Sequence, residues 1–425
     1  MFAEKARKGI VSVYFFTVAV LMYYMLDEVL RLKVYITYRH LFALVLTASC
    51  FLYFLVKPEL FRGSAAVKSA FMFSVPVFVT ITVSLFIWCV ERTDFDIISR
   101  GLSYLLIYMS PVSAAFAGAV FLYLYGEKGI WINLLAILTA NLLMIGGIMK
   151  EYGAASYFRE FFDMLFTFSS EAGDVVANAE IHELAFCTGV YSCYMLIVFK
   201  KKPWFILLLV LTLFCFLSAY KRIAIVALAI VIPLGWLLKW ALKRGFSNAV
   251  KWTIHILFTA SIGFLVAYIF LVRIGAFDIL EAIGIPTMGR ARLYSQVQPF
   301  YEFSPSYLGH GTGFLVYQLN ELVTLSQSMI HNDFLQYYID LGFWGYLIWL
   351  FSMTILRVQY FGRGGKNQTK IIVFTLVLYM LIVSCTDNTL NYQLFHTAVA
   401  VIVMGHGFDE RVKEEEERFL KEVET

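Results

Sequence analysis

The sequence predicts an all-α polytopic membrane protein with about 12 transmembrane helices. Three observations predict it. Only 15% of the residues are charged and 60% are apolar, whereas soluble domains carry about 25% charge. The apolar residues fall in blocks of roughly 17–25, the length a helix needs to cross about 30 Å of hydrocarbon. Basic residues alternate between crowded and sparse connecting segments, as they do in chains that cross a membrane repeatedly.

In order, the blocks lie near residues 10–26, 40–56, 70–90, 101–125, 129–148, 181–199, 203–219, 223–238, 252–272, 333–352, 371–386 and 391–407. The first has a basic start, but only Leu26-Asp27-Glu28 follows it. Without a small-residue cleavage site it reads as a retained helix rather than a signal peptide. With the N-terminus inside, 22 of the 34 basic residues fall in inner segments, among them Lys57, Lys128, Lys200–Lys202, Lys243 and Arg357. The positive-inside tendency then puts both termini on the cytoplasmic side, together with the charged tail 409–425. The six cysteines all fall in predicted spans with no Cys-x-x-Cys among them, which reads as buried free thiols.

Residues 1–425 read as one transmembrane domain, with no soluble domain and no convincing internal repeat. The missing repeat speaks against an inverted-repeat transporter. Two outer segments are longer than a turn. In 149–180, Phe158, Phe161, Phe162, Leu165 and Phe166 share one helical face, while Arg159, Glu160 and Asp163 lie off it. Such a helix lies in the membrane interface, as an anchor or as a gate for a lipid-linked substrate. The segment 273–330 carries Pro286, Pro299, Pro305 and many glycines, so it is irregular, with short helices at most. A loop this long inside a compact protein usually has a function.

The residues that suit chemistry cluster in the second half. Arg290 and Arg292 stand in the long loop. A guanidinium keeps its charge and binds phosphate bidentately; the alternative is a solvated loop charge. Lys221 and Arg222 interrupt an apolar region at the outer edge, where cations are costly unless functional or snorkelling to headgroups. His331 begins the tenth block, followed by Asn332 and Asp333. Histidine suits a base near neutral pH or a donor to phosphate, and Asn332 or Asp333 suits a helix cap. Gly309–Gly313 lacks the Lys-Ser/Thr of a P-loop and follows no strand, so it reads as a tight turn presenting backbone amides. Asp94 and Asp96 form an Asp-x-Asp pair, a weak match to a divalent-cation site and otherwise a solvated loop.

Taken in order, these pieces resemble one family. They are Ser218–Arg222 before an apolar span, Gly289-Arg290 with Leu293-Tyr294, Gly309–Gly313, and His331-Asn332 entering a helix that continues Asp340–Gly345. This set, over roughly residues 180–350, is similar to the O-antigen ligase and Wzy-type polysaccharide polymerase superfamily. The resemblance implies a bacterial, GT-C-like membrane glycosyltransferase acting on the outer face of the cytoplasmic membrane. Its donor and acceptor would be glycans on undecaprenyl diphosphate, with no metal and no cofactor. Arg222 and Arg290 match the family's functional arginines, and His331 its loop histidine. Arg292 is a neighbour of Arg290, and Lys221-Arg222 stands where the family has Ser-Arg. Asn332-Asp333 fits the form seen in capsule and exopolysaccharide polymerases. The implied partners are the bilayer, a chain-length regulator and a flippase, with no nucleic acid.

The expected topology independently favours a lipid-activated donor. No nucleotide sugar or ATP is expected outside the membrane, so the bond energy must arrive with the substrate. The sequence reading is therefore a polymerase that moves the growing glycan to a new lipid-linked repeat unit. Arg222 and Arg290, with Arg292, Lys221, Asn332 and Asp333 in support, would handle the diphosphate, and His331 would activate the acceptor hydroxyl or bind the diphosphate. The rival within the family is a ligase that transfers finished glycan to lipid A-core. The rival from another class is a flippase or transporter of lipid-linked sugars, which wants charges at mid-depth and pseudo-symmetric halves.

Overall fold

The computed structural model describes residues 2–24, 38–56, 58–91, 93, 95, 98–99, 101–102, 108–167, 182–284, 287, 289–321, 330–362, 367–389 and 392–424. Every regular element among them is a helix. In chain order these are α1 (Phe2–Tyr23), α2 (Tyr38–Val56), α3 (Leu60–Glu91), α4 (Ser110–Tyr125), α5 (Lys128–Tyr152), α6 (Ala154–Thr167), α7 (His182–Ile197), α8 (Pro203–Ser218) and α9 (Arg222–Lys243). Then follow α10 (Ser247–Arg273), α11 (Ala276–Ala282), α12 (Arg290–Val297), α13 (Phe314–Glu321), α14 (Asp333–Phe361), α15 (Asn367–Ser384), α16 (Gln393–Gly405) and α17 (Phe408–Glu424).

Six of them, α3, α5, α9, α10, α14 and α15, are long and apolar enough to cross a membrane. The remaining predicted blocks hold apolar helices of 10–17 residues, in α1, α2, α4, α7, α8 and α16. The chain is thus an α-helical membrane protein by length and composition of its helices.

The core is built around α16, buried along its whole length from Gln393 to Gly405. It packs against α4, α5 and α7. The face of α4 is made of small residues, Ala114, Ala115, Ala117, Gly118 and Ala119, which let two helix backbones approach closely where lipid offers no hydrophobic driving force between helices. Burial grades outward from there: the apolar window of α15 is 72% buried and that of α10 only 22%. Among the long apolar helices, α10 therefore presents the most surface to lipid.

The helix α14 departs from ideal geometry. At Gly342 the backbone turns to φ 69°, ψ −177°. The kink has a partner: His310 N and Gly311 N donate to Asp340 O at 3.2 and 2.7 Å, and Phe343 N donates to Tyr307 O at 2.9 Å. Residues 307–311 of the loop before α14 thus take over bonds that a straight helix would make internally. A Cβ at Gly342 or at Gly309 would overlap the other strand of backbone, so glycine is required at this crossing. Lower down, a π-helical turn covers Ser352–Leu356.

Two expectations need correction or refinement. Arg357, counted above with an inner loop, is buried within α14. Its Nη2 donates to Phe73 O at 2.8 Å and its guanidinium lies 4.1 Å from the Phe73 ring centre, so α3 supplies what water would. The amphipathic helix α6 is present, but its apolar face is divided. Phe161, Met164 and Leu165 pack on Phe214, Leu217 and Tyr220, while Phe158, Phe162 and Phe166 are exposed. The tail forms α17, tied to α3 by Arg62–Asp409 at 2.9 Å and Lys68–Glu415 at 3.2 Å.

Candidate functional site

Three segments meet at one end of the helix bundle: the start of α14, the start of α12, and the turn between α15 and α16. His331 sits just before α14 with φ 53°. A non-glycine residue in this left-handed region is uncommon, although histidine enters it more readily than most. Such residues persist where surrounding contacts hold them, often at functional sites. The contact here comes from the turn: Asn388 Nδ2 lies 3.1 Å from His331 Nδ1.

Asn332 is the N-cap of α14, its Oδ1 accepting from Leu335 N at 3.1 Å. Its Nδ2 donates to the hydroxyls of Tyr268 and Tyr294 at 3.1 and 3.2 Å. Tyr268 in turn donates to Cys385 O at 3.1 Å. The Asn332 side chain therefore stitches α10, α12 and α14 together beneath His331, and is fully buried. The sequence reading placed it among the diphosphate ligands; in the structure its side chain bonds Leu335, Tyr268 and Tyr294. Burial pushes the Tyr294 hydroxyl above its ordinary pKa, which keeps it a neutral partner for the amide.

Arg290 is the first residue of α12 and half-buried. Its Nη2 donates to Thr386 O at 2.9 Å, while its Nε is buried with no hydrogen-bond partner among the described residues. A guanidinium with an unmet buried donor is suited to an anion arriving at that edge. Arg290 and His331 thus both bond a single turn, at positions two residues apart. Arg292, two residues on and so on the far side of α12, is exposed. Of the two arginines that spacing left ambiguous, Arg290 reaches the turn after α15 and Arg292 does not.

The acidic groups lie close by. Asp333 is buried and accepts from Thr389 Oγ1 at 2.9 Å, and Thr389 shares a 2.5 Å contact with Ser384 Oγ. Asp387 Oδ1 accepts from Asn388 N at 2.8 Å and from Tyr392 OH at 2.9 Å. Burial first, and then the Asp387 carboxylate, push the Tyr392 hydroxyl upward, so it stays a donor. Both bonds fall on one oxygen of Asp387. The sequence reading gave Asp333 a part in holding the diphosphate; a buried carboxylate this close to Arg290 and His331 adds negative charge to the same end of the bundle.

Arg222 and Lys221 are placed differently. They open α9 after Tyr220, the other non-glycine residue of positive φ (43°) among the described residues. Arg222 is exposed, Lys221 half-buried. α9 ends at the turn into Ser247, which Asn367 at the start of α15 contacts, so the start of α9 stands at the other end, where α15 ends beside His331. No hydrogen bond or ion pair joins Arg222 to Arg290 or His331. Tyr220 packs under α6, which links the amphipathic helix to the cationic pair.

The Gly309–Gly313 turn does present amides, but to protein. Gly313 N and Leu315 N donate to the Asp340 carboxylate at 3.1 and 3.2 Å, and Tyr108 OH donates to it at 2.7 Å. Asp94 and Asp96 lie outside the described residues. Among the described residues, no three His, Cys, Asp or Glu side chains come together as a metal site.

Sequence reasoning missed the turn after α15. Thr386-Asp387-Asn388-Thr389 reads as an ordinary short connection, and nothing in its composition announces contacts with residues 56 to 96 positions away. It also passed over Asp340 as a site in itself. There a signal existed: a carboxylate inside an apolar block, seven residues past Asp333, is expensive and needs partners.

Searches of family models and of curated proteins find no match to this chain.

Proposed function

We propose that this protein is a membrane glycosyltransferase that polymerises undecaprenyl-diphosphate-linked oligosaccharide repeat units, with its site facing the outer side of the cytoplasmic membrane. On this reading all twelve apolar helices span the bilayer in a GT-C-like arrangement. One observation carries the proposal: Arg290 and His331, singled out separately in sequence, both bond the 386–388 turn. That turn also brings two carboxylates, Asp387 and, through Thr389, Asp333.

The parts fit a displacement. The acceptor hydroxyl oxygen attacks the anomeric carbon of the donor, the bond from that carbon to the diphosphate oxygen breaks, and undecaprenyl diphosphate leaves with the electron pair. Arg290 meets the negative charge that grows on the leaving group, and preorganised donors of this kind are typically the largest catalytic term. With the Asn388 amide oriented as described, its Nδ2 can only donate, so His331 Nδ1 accepts. The neutral ring then carries its hydrogen on Nε2, which suits a donor to the diphosphate. The acceptor proton then goes to a carboxylate, and Asp387 has an oxygen that takes no hydrogen bond from the described residues. Arg222 and Lys221, at the same end of the bundle, would receive the lipid diphosphate as it approaches past α6.

The transporter reading draws on Asp340 and Arg357, two charged side chains buried within α14. Both have local explanations: Asp340 is held by two amides and a hydroxyl, and Arg357 by Phe73. The ligase reading uses the same site. A deletion strain separates the two: single repeats retained on the final acceptor support a polymerase, and intact lipid-linked polymer that is no longer attached supports a ligase. His331→Ala with undiminished polymer at equal protein level would sink the proposal.

A further inference from the structure

At the opposite end of the bundle from His331, a cavity of about 460 Å³ opens between α10, the end of α14 and the start of α15. Lys251 and His255, one turn apart on α10, line it together with Trp252, Val358, Gln359 and Lys370. No carboxylate lines it, and neither lysine has an ion-pair or hydrogen-bond partner among the described residues. Two cations facing one cavity without an acid leave a positive potential uncancelled.

The cavity is built rather than incidental. Asn367 Nδ2 donates to Ser247 Oγ and ties the start of α15 to the start of α10. Lys370 is held by Gly362: a Cβ there would meet Lys370 Cγ at 2.6 Å, so the bare glycine makes room for the lysine stem. Trp252 stands exposed at the rim, its ring 6.4 Å from that of His255. Tryptophan favours the headgroup level of a bilayer.

We propose that this cavity binds the headgroup of an anionic phospholipid. The ligand chemistry is a phosphate mono-anion, which basic pockets between membrane helices recognise. The lipid source is argued from α10. Trp252 and Ile256 are 66% and 63% exposed, and Phe264, two turns further on, is 61% exposed. This apolar row starts beside the cavity and runs along the least buried of the long helices, so an acyl chain attached to the bound phosphate has a surface to follow.

The test uses the full chain, purified in neutral detergent and stripped of lipid. Retention of added phosphatidylglycerol is measured by native mass spectrometry, and the unfolding temperature is followed in parallel. Phosphatidylcholine and inorganic phosphate serve as comparisons. Wild-type protein is expected to retain phosphatidylglycerol and to melt higher with it. Lys251→Gln/Lys370→Gln should lose affinity roughly thirty-fold, the attraction that two basic side chains at a membrane surface supply. Lys251→Arg/Lys370→Arg, which keeps both charges, should retain most of the binding, so a folding defect in the glutamine variant is distinguishable. Equal retention by the glutamine variant would overturn the proposal. Equal retention of phosphatidylcholine would show that charge is not what is recognised. Stabilisation by inorganic phosphate matching that by phosphatidylglycerol would make this a free-phosphate site and overturn the lipid assignment.

Discussion

The Asn388 amide nitrogen lies 3.1 Å from Nδ1 of His331, across 57 residues of chain. This contact joins the turn after α15 to the start of α14, and it orients a histidine held at positive φ. If Asn388 acts by positioning His331, its loss should resemble a weakened His331 rather than an unfolded protein. Asn388→Ala is expected to lower polymer-forming activity on the order of 5–10-fold, the value of one hydrogen bond of about 1–1.4 kcal/mol. Asn388→Asp, which can accept a proton from Nδ1 but not donate to it, should alter the pH profile of the reaction. An unchanged profile in Asn388→Asp would mean that the amide does not set the ring's tautomer.

Arg290 and Arg292 should separate in function. Arg290→Ala removes a guanidinium that is anchored on Thr386 O and is expected to cost about 10²–10³-fold in turnover. Arg290→Lys should not restore it, because an ammonium lacks the planar fork. Arg292→Ala, an exposed change, should leave turnover within a few-fold. Comparable losses in both variants would show that the diphosphate is held elsewhere.

Asp340 should matter for stability before activity. Its carboxylate accepts from Tyr108 OH, Gly313 N and Leu315 N. Asp340→Ala strands these buried donors, at about 1–3 kcal/mol each, so unfolding in detergent should shift down by at least about 3 kcal/mol. Gly342→Ala should act in the same direction, because its Cβ would run into the backbone of Leu308. A normal melting temperature in both variants would show that the loop 307–315 is not clamped to α14 in the folded protein.

The apolar blocks were legible because crossing hydrocarbon demands length and apolarity of each helix on its own, before any packing. Each predicted block holds an apolar helix among the described residues, although the apolar stretches in α1, α2, α4, α7, α8 and α16 are only 10–17 residues long. His331 could be singled out as a polar residue opening an apolar block, and Arg290 as one of two neighbouring arginines in the long loop. The difference between Arg290 and Arg292, and the capping of α14 by Asn332 rather than Asp333, depend on which way a short helix faces, and spacing alone does not fix that. Asp387 and Asn388 were invisible for a stronger reason: their role is made by contacts with residues tens of positions away.

Acid should weaken the fold through His406. Burial, then Arg411 and Lys200, lower its pKa from 6.5 to about 4. The unfolded chain therefore binds a proton that the folded protein refuses between those two values. Stability from this group is complete above pH 6.5 and falls as pH drops towards 4, by about 1.4 kcal/mol per unit. Glu127 works the other way, since burial raises its pKa above 4.5, so it offsets part of the loss. Melting temperatures between pH 7.5 and 5 should fall in wild-type protein and fall less in His406→Gln. An equal slope in the two would assign the acid sensitivity to other groups.

The most direct measurement supplies purified protein with undecaprenyl-diphosphate-linked repeat units, with no nucleotide present, and resolves the products by length. A ladder of longer glycans that disappears in Arg290→Ala and in His331→Ala, while Arg292→Ala keeps it, is the predicted result. No ladder from wild-type protein with its native repeat unit, or an undiminished ladder from Arg290→Ala, would contradict the assignment of this site to glycan transfer.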